Sequence, residues 1–149
     1  MRRVKFIFEG THPIKIKKKE ISVYVNKLIE NEGYIVDDIT IVFCNDDYLL
    51  EINRKYLNHD HFTDIITFNY NEGKKISGDL MISLERIREN AELYTKSFEN
   101  ELYRVIFHGI LHLIGYDDKD EEMKKIMREK ENDYLRMTEK GDARINTRI

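Results

Sequence analysis

Cysteine is nearly missing from this 149-residue chain, and Cys44, the single one, leaves no partner for an internal disulfide. A chain that folds without disulfides is expected in the reducing cytoplasm. Proline is as scarce, with Pro13 alone in the turn Thr11–Pro13. No apolar run approaches the ~20 residues that span a bilayer, so no membrane partner is expected. The opening Met1-Arg2-Arg3-Val4-Lys5 turns polar too soon for a signal peptide. A large charge of one sign is also absent. Lys and Arg number 25 against 28 Asp and Glu, a net charge of −3. There is no global pull toward nucleic acid, and DNA is not an expected partner. RNA would have to use local patches, such as Arg2 and Arg3 or Lys15, Lys17, Lys18 and Lys19. Those runs read equally as solvated surface. Repeats and linkers are missing too, which leaves one domain over 1–149.

Hydrophobic residues make up 41% of the chain and charged ones 36%, enough for a core beneath a well-solvated surface. Alternation predicts strands at Val4–Phe8, Asp38–Cys44, Asp64–Tyr70 and Ile76–Ile82. Cys44, ending an apolar run, is expected in the core. Helical spacing of Ile21, Val25, Leu28 and Ile29 predicts a helix over Glu20–Glu30, closed by Gly33. Asn45 is placed to cap a second helix over Asp46–Tyr56. Three more helices follow, at about Leu84–Tyr94, Phe98–Ile114 and Glu121–Arg136. From about residue 138 the apolar pattern fades into a loose tail. Four strands followed by three helices imply an α+β domain, with a roughly four-stranded mixed sheet.

The helix at Phe98–Ile114 carries the chemistry. Leu102, Val105, Ile106, Gly109, Ile110 and Leu113 form one apolar stripe, and Phe107, Leu111 and Ile114 another. A helix apolar nearly all round is buried. Yet His108 and His112 sit on it, four residues apart and therefore one above the other. Buried imidazoles are costly unless each ring nitrogen finds a partner. Gly115 follows and can end the helix in a reversed turn, returning Asp118 as a third ligand. H-x3-H-x2-G-x2-(H/D) is the spacing of metzincin-like zinc sites. One Zn²⁺ per chain on His108, His112 and Asp118 is expected. The hard aspartate oxygen also admits Mn²⁺. Where a zinc peptidase carries its glutamate base, this chain has Gly109. Arg104 and Glu101 share the histidine face. Arg104 can meet a substrate phosphate and Glu101 can orient a ligand ring, or the two can form a surface ion pair.

At this point the motifs resemble a known family. His108-Gly109-Ile110-Leu111-His112-Leu113-Ile114-Gly115-Tyr116-Asp117-Asp118 is similar to the H-G-x-L-H-L-x-G-Y-D-H signature of the YbeY family. Asn53-Arg54-Lys55-Tyr56, Asp60 and Thr63–Phe68 resemble its N-x-x-Y-R-x-x-D-x-x-T-D-V-L-S-F segment. Gly78–Ser83 resembles its G-D-I-x-I-S strand, and Met127 and Glu131 fall where its last helix carries Met and Glu. The resemblance implies a zinc-dependent, single-strand-specific endoribonuclease of rRNA maturation and ribosome quality control. Its implied partners are precursor rRNA and the ribosomal small subunit or its assembly factors. Two positions depart from the family. Asp118 stands where histidine is usual, and Leu57 where an arginine associated with RNA is usual. Arg54, Lys55 and Arg104 are the cations available to replace that arginine.

With Gly109 in the base position, proton removal is open to Asp117, to a second coordinated water, or to the RNA's own 2′-hydroxyl. Asp117 reads equally as a support for the ligands or as a helix N-cap. Two rival readings stand beside the nuclease. One is a metallopeptidase-like hydrolase. The other is a non-catalytic assembly factor whose metal is structural, with His59 or His61 as a fourth ligand.

Overall fold

A computed structural model describes residues 3–58 and 63–139. Arg2, His59, Asp60, His61 and the tail from residue 140 onward lie outside the described residues.

Strand β1 (Val4–Phe8), helix α1 (Lys18–Asn31) and strand β2 (Ile35–Cys44) form the first unit, with the two strands parallel and Val4 opposite Ile39. Helix α2 (Asp46–Leu57) leads to β3 (Ile65–Asn69) and β4 (Lys75–Ser83), which pair antiparallel. β4 also lies parallel beside β2, so the sheet is mixed, in the order β1-β2-β4-β3. Helices α3 (Leu84–Leu93), α4 (Phe98–Ile114) and α5 (Glu121–Glu139) complete the chain. The architecture is a single α+β domain. Side-chain caps set three helix starts: Asn45 accepts from the Tyr48 amide, Ser83 from that of Arg86 and Ser97 from that of Asn100. Among the described residues, no helix is long and apolar enough to cross a membrane.

Most boundaries fall within one or two residues of the sequence reading, and two differ by three. β2 begins at Ile35 rather than Asp38, because its register shifts between Val36 and Ile39. The irregularity breaks the alternation that marks a strand. The Ser77 hydroxyl bridges it, accepting from the Asp38 amide at 3.2 Å and donating to Asp37 at 3.0 Å. α5 runs to Glu139 and takes in Thr138, where the loose tail was expected. Tyr134 and Leu135 are buried and Met137 packs against the core, which holds the last turn.

Strand alternation divides the apolar residues between two faces. Ile39, Ile41, Phe43, Leu80 and Ile82 join α1 and α4 in the larger core. Cys44, Ile66 and Leu49 form a smaller core on the other face, beneath α2. Burial, with Asp46 nearby, pushes the Cys44 thiol up to about 12, so it is chemically inert.

α4 reaches the sheet closely because of two glycines. A Cβ at Gly109 would lie 2.6 Å from Ile65 Cδ1 and 2.9 Å from Leu80 Cγ; one at Gly78 would lie 2.5 Å from the Phe68 carbonyl oxygen. Gly109→Ala gains about 1 kcal/mol of helix propensity but overpacks this contact at about 1–3 kcal/mol. The expected outcome is a net loss of up to about 2 kcal/mol in urea unfolding. Raised stability would contradict the close approach.

Glu32, at the end of α1, ties this helix to the C-terminal half. Its carboxylate accepts from Tyr116 Oη at 2.7 Å, Tyr134 Oη at 2.5 Å and Lys130 Nζ at 3.1 Å. Burial alone would raise its pKa, but the bonds from Tyr134, Tyr116 and Lys130 outweigh it and hold the carboxyl below its usual range. A depressed folded pKa contributes stability that is present above the unfolded value, about 4.3 for glutamate. That contribution is lost as pH falls through the folded value. Thermal unfolding from pH 7 to pH 3 should therefore fall less steeply below about pH 4.3 in Glu32→Gln than in the parent.

Candidate metal centre

The end of α4 turns the chain back on itself. Gly115 has φ +128°, its amide donates to the His112 carbonyl at 3.1 Å, and the Tyr116 amide donates to that of Leu111 at 3.0 Å. This pair of bonds is the Schellman closure, and few residues other than glycine tolerate that φ. Asp118 then faces the helix it has just left. Asp118 Oδ2 lies 3.5 Å from His108 Nε2 and 3.7 Å from His112 Nε2, and the two nitrogens are 3.1 Å apart. A tetrahedral ion with bonds of ~2.0–2.1 Å sets its ligand atoms about 3.3 Å apart. The three edges bracket that value, so the residues fit a divalent ion. They are the only such group of His, Cys, Asp and Glu among the described residues. The histidine side chains are each 25% exposed and that of Asp118 is 42% exposed, which leaves a side of the triangle open to solvent.

His108 is oriented from α5. Its Nδ1 lies 2.6 Å from Glu131 Oε2, and Arg104 Nη1 donates to Glu131 Oε1 at 2.9 Å. A carboxylate behind an imidazole fixes the ring and strengthens its outer nitrogen as a ligand. Sequence reasoning weighed Glu101 for that role, and in the structure it is Glu131 that stands behind the ring. Glu101 is buried and lies 3.8 Å from Arg104 Nε. The ion pair weighed for Arg104 and Glu101 forms, but it is buried rather than at the surface. Arg104 spans two buried carboxylates and is itself mostly covered. Nothing in the spacing of α5 singles out Glu131, one acid among many on a charged helix. Only the family resemblance marked it.

Burial pulls the His108 pKa down, but the bond and charge of Glu131, with Asp64 and Asp118, outweigh it and raise it. Burial and the neighbouring His108 lower that of His112.

Two clefts meet at the centre, and Asp64, His108 and Asp118 border both. The larger, about 700 Å³, runs between the α3–α4 connection and α5, with Tyr94, Lys96, Arg104, Lys124 and Arg128 on its walls. The smaller, about 460 Å³, is lined by Asn53, Leu57, Thr63 and Thr67, and by no lysine or arginine among the described residues. Burial raises the Asp64 pKa despite the opposing pull of His108. Sequence analysis noticed Asp64 only through its family segment. Asp117 turns inward on its own loop, accepting from the Asp118 amide at 2.8 Å, with Lys119 3.6 Å away. The N-cap role weighed for it belongs to Asp120, which accepts from the Met123 amide. Arg54 pairs with Glu51, and Lys55 lies over the Tyr56 ring. Of the three cations considered as replacements for the family arginine, only Arg104 lines a cleft.

Comparison with known proteins agrees with this geometry. The family model described as endoribonuclease YbeY matches residues 7–139. A Parabacteroides distasonis protein named endoribonuclease YbeY is 51% identical over 120 residues, covering 80% of this chain and 84% of its own. Its namesake in Phocaeicola vulgatus is 49% identical over 127 residues, covering 85% and 92%. A Thermotoga maritima protein solved in solution superposes with a TM-score of 0.64 at 28% identity, covering 89% of this chain and 86% of that one. The similarity runs from β1 to the end of α5 and includes the whole ligand triangle, and on it the chain belongs to the endoribonuclease YbeY family.

Proposed function

We propose that this protein is a zinc-dependent endoribonuclease that cuts single-stranded rRNA precursors in the cytoplasm, in contact with the small ribosomal subunit or its assembly factors. The observation that carries the reading is the half-open triangle of His108, His112 and Asp118 at the junction of two clefts, in a chain of this family. An aspartate oxygen beside two imidazoles suits Zn²⁺ and also accepts Mn²⁺. A divalent ion held there supplies positive charge at the scissile phosphate and acidifies a bound water.

The chain's own residues divide the remaining work. Lys96, Lys124 and Arg128, on the walls of the larger cleft, attract the phosphate backbone. Arg104 holds Glu131, and hence His108, and offers the rest of its guanidinium to a phosphate in the same cleft. Asp64, where the clefts join, is the carboxylate we assign to take a proton, with Asp117, bonded to the amide of the third ligand, as the second such group. RNA's own 2′-hydroxyl is an internal nucleophile, so the protein has less to supply than for a peptide bond. The peptidase reading fails on packing. Position 109 presses on Ile65 and Leu80, leaving no room there for a glutamate.

Protein purified without added metal is expected to hold about one zinc or manganese ion per chain by elemental analysis. His108→Ala/His112→Ala should lose it, Asp118→Ala should bind it more weakly, and Asp118→His should restore binding. Full metal content in the double variant would sink the ligand assignment. Loss in Asp117→Ala but not in Asp118→Ala would move the third ligand by one residue.

Cleavage of single-stranded RNA should be chelator-sensitive and lost in His112→Ala, while casein stays intact. Binding should weaken with salt. Each cation removed, as in Lys96→Ala or Arg128→Ala, should flatten the plot of log K against log salt by about 0.7. RNA cleavage unchanged in His112→Ala would leave the non-catalytic assembly factor as the better reading, and Leu57 in place of the family arginine favours the same alternative.

A further inference from the structure

The turn that carries Asp118 is short of anchors. Asp118 itself is held by its own neighbour, through the bond from its amide to Asp117. Among the described residues its carboxylate pairs with the two histidine rings, both of which become ligands when metal binds. The position of this third ligand must therefore be set from the residues on either side. On the far side, Asp120 caps α5. On the near side stands Tyr116, two residues before the ligand. Tyr116 is fixed three times. Its amide closes α4 on Leu111, its carbonyl accepts from the His112 ring, and its hydroxyl donates to Glu32 Oε1 at 2.7 Å.

Glu32 lies 84 residues earlier in the chain, at the end of α1. Its side chain is 8% exposed. Its other oxygen holds Lys130 and Tyr134 on α5. Lys130 also lies over the Tyr116 ring, 5.6 Å from its centroid. Lys130 precedes Glu131, the carboxylate behind His108. One buried carboxylate thus grips both arms of the metal centre, the turn bearing Asp118 and the helix bearing Glu131. Hydrogen bonds to a charged acceptor are about twice as strong as neutral ones. A ligand held ready loses less freedom when the ion arrives.

We propose that Glu32 and Tyr116 are positioning residues for the metal centre, the carboxylate of α1 acting through the Tyr116 hydroxyl to hold Asp118 in place. The proposal rests on the ligand assignment made above.

Tyr116→Phe is the direct test, because it removes one hydroxyl and keeps the ring under Lys130. Metal-free protein would be titrated with Zn²⁺ against a chromophoric chelator, and unfolding of the same metal-free samples followed by urea. Apparent Zn²⁺ affinity should fall about tenfold in Tyr116→Phe, the scale expected when the support of a ligand is lost. It should fall at least as far in Glu32→Gln. The decisive comparison repeats Tyr116→Phe in an Asp118→Ala background. A hydroxyl that acts through Asp118 has nothing left to position there, so its effect should shrink to less than twofold. A merely structural bond would weaken folding alike in both backgrounds and leave affinity unmoved. Affinity within twofold of the parent in Tyr116→Phe, or a tenfold loss that persists without Asp118, would overturn the proposal. If Asp118→Ala alone leaves affinity unchanged, the ligand assignment falls first and the positioning role falls with it.

Discussion

Helix α4 carries two imidazoles into an interior where, from Val105 onward, every other side chain of the helix is apolar, and the surrounding structure is organised around the cost of doing so. Leu102, Val105, Ile106, Phe107, Ile110, Leu111 and Leu113 are all buried on that helix. An unpartnered imidazole in such surroundings loses its bonds to water without replacement. Each ring is partnered in a different way. His108 has Glu131 behind it and Asp118 in front; His112 has the Tyr116 carbonyl behind it and His108 and Asp118 in front. Glu131 in turn needs Arg104, since a buried carboxylate is tolerated only when paired. The chain of partners leads outward from the rings to a guanidinium at the cleft wall. The burial that makes the core solid is also what makes the centre specific.

How much of this was legible in the sequence follows from the range over which each feature is specified. Helices and strands are local patterns, so their order and most of their limits could be read from periodicity. β2 was misjudged at its start because a register irregularity breaks its period, and α5 at its end because Met137 packs against the core in a stretch that reads as polar. The ligand triangle was legible because His108, His112, Gly115 and Asp118 lie within one helix end and one turn. Glu131 was not, since it comes from 23 residues away in a helix dense with charge. Glu32 was still less visible, because only the tertiary fold brings α1 beside Tyr116. Gly109 was read for the side chain it lacks. Its physical role is the close contact of α4 with Leu80 and Ile65.

The two departures from the family pattern change the electrostatics in opposite directions. Asp118 places a negative charge where an imidazole is usual, and a carboxylate ligand makes the bound ion a weaker acid. Leu57 leaves the smaller cleft without lysine or arginine among the described residues, while Lys96, Lys124 and Arg128 gather on the larger one. Attraction for a polyanion is therefore one-sided at this centre. Since the overall charge of the chain is −3, this local asymmetry and not the global field orients an approaching strand.

Charge also explains why a metal would stabilise the fold as well as serve chemistry. Asp64, Glu101, Asp118 and Glu131 line one cleft with His108, and among the described residues Arg104 is the cation paired with buried members of the set. Burial is the main reason that Asp64 and Glu101 are pushed toward their neutral forms. Among the described residues Glu101 Oε1 has no hydrogen-bond partner. A divalent cation held by His108, His112 and Asp118 would add positive charge beside these carboxylates. Because the site is assembled from α4, its closing turn and α5, it does not survive unfolding. Binding to the folded chain alone draws the equilibrium toward the native state by mass action.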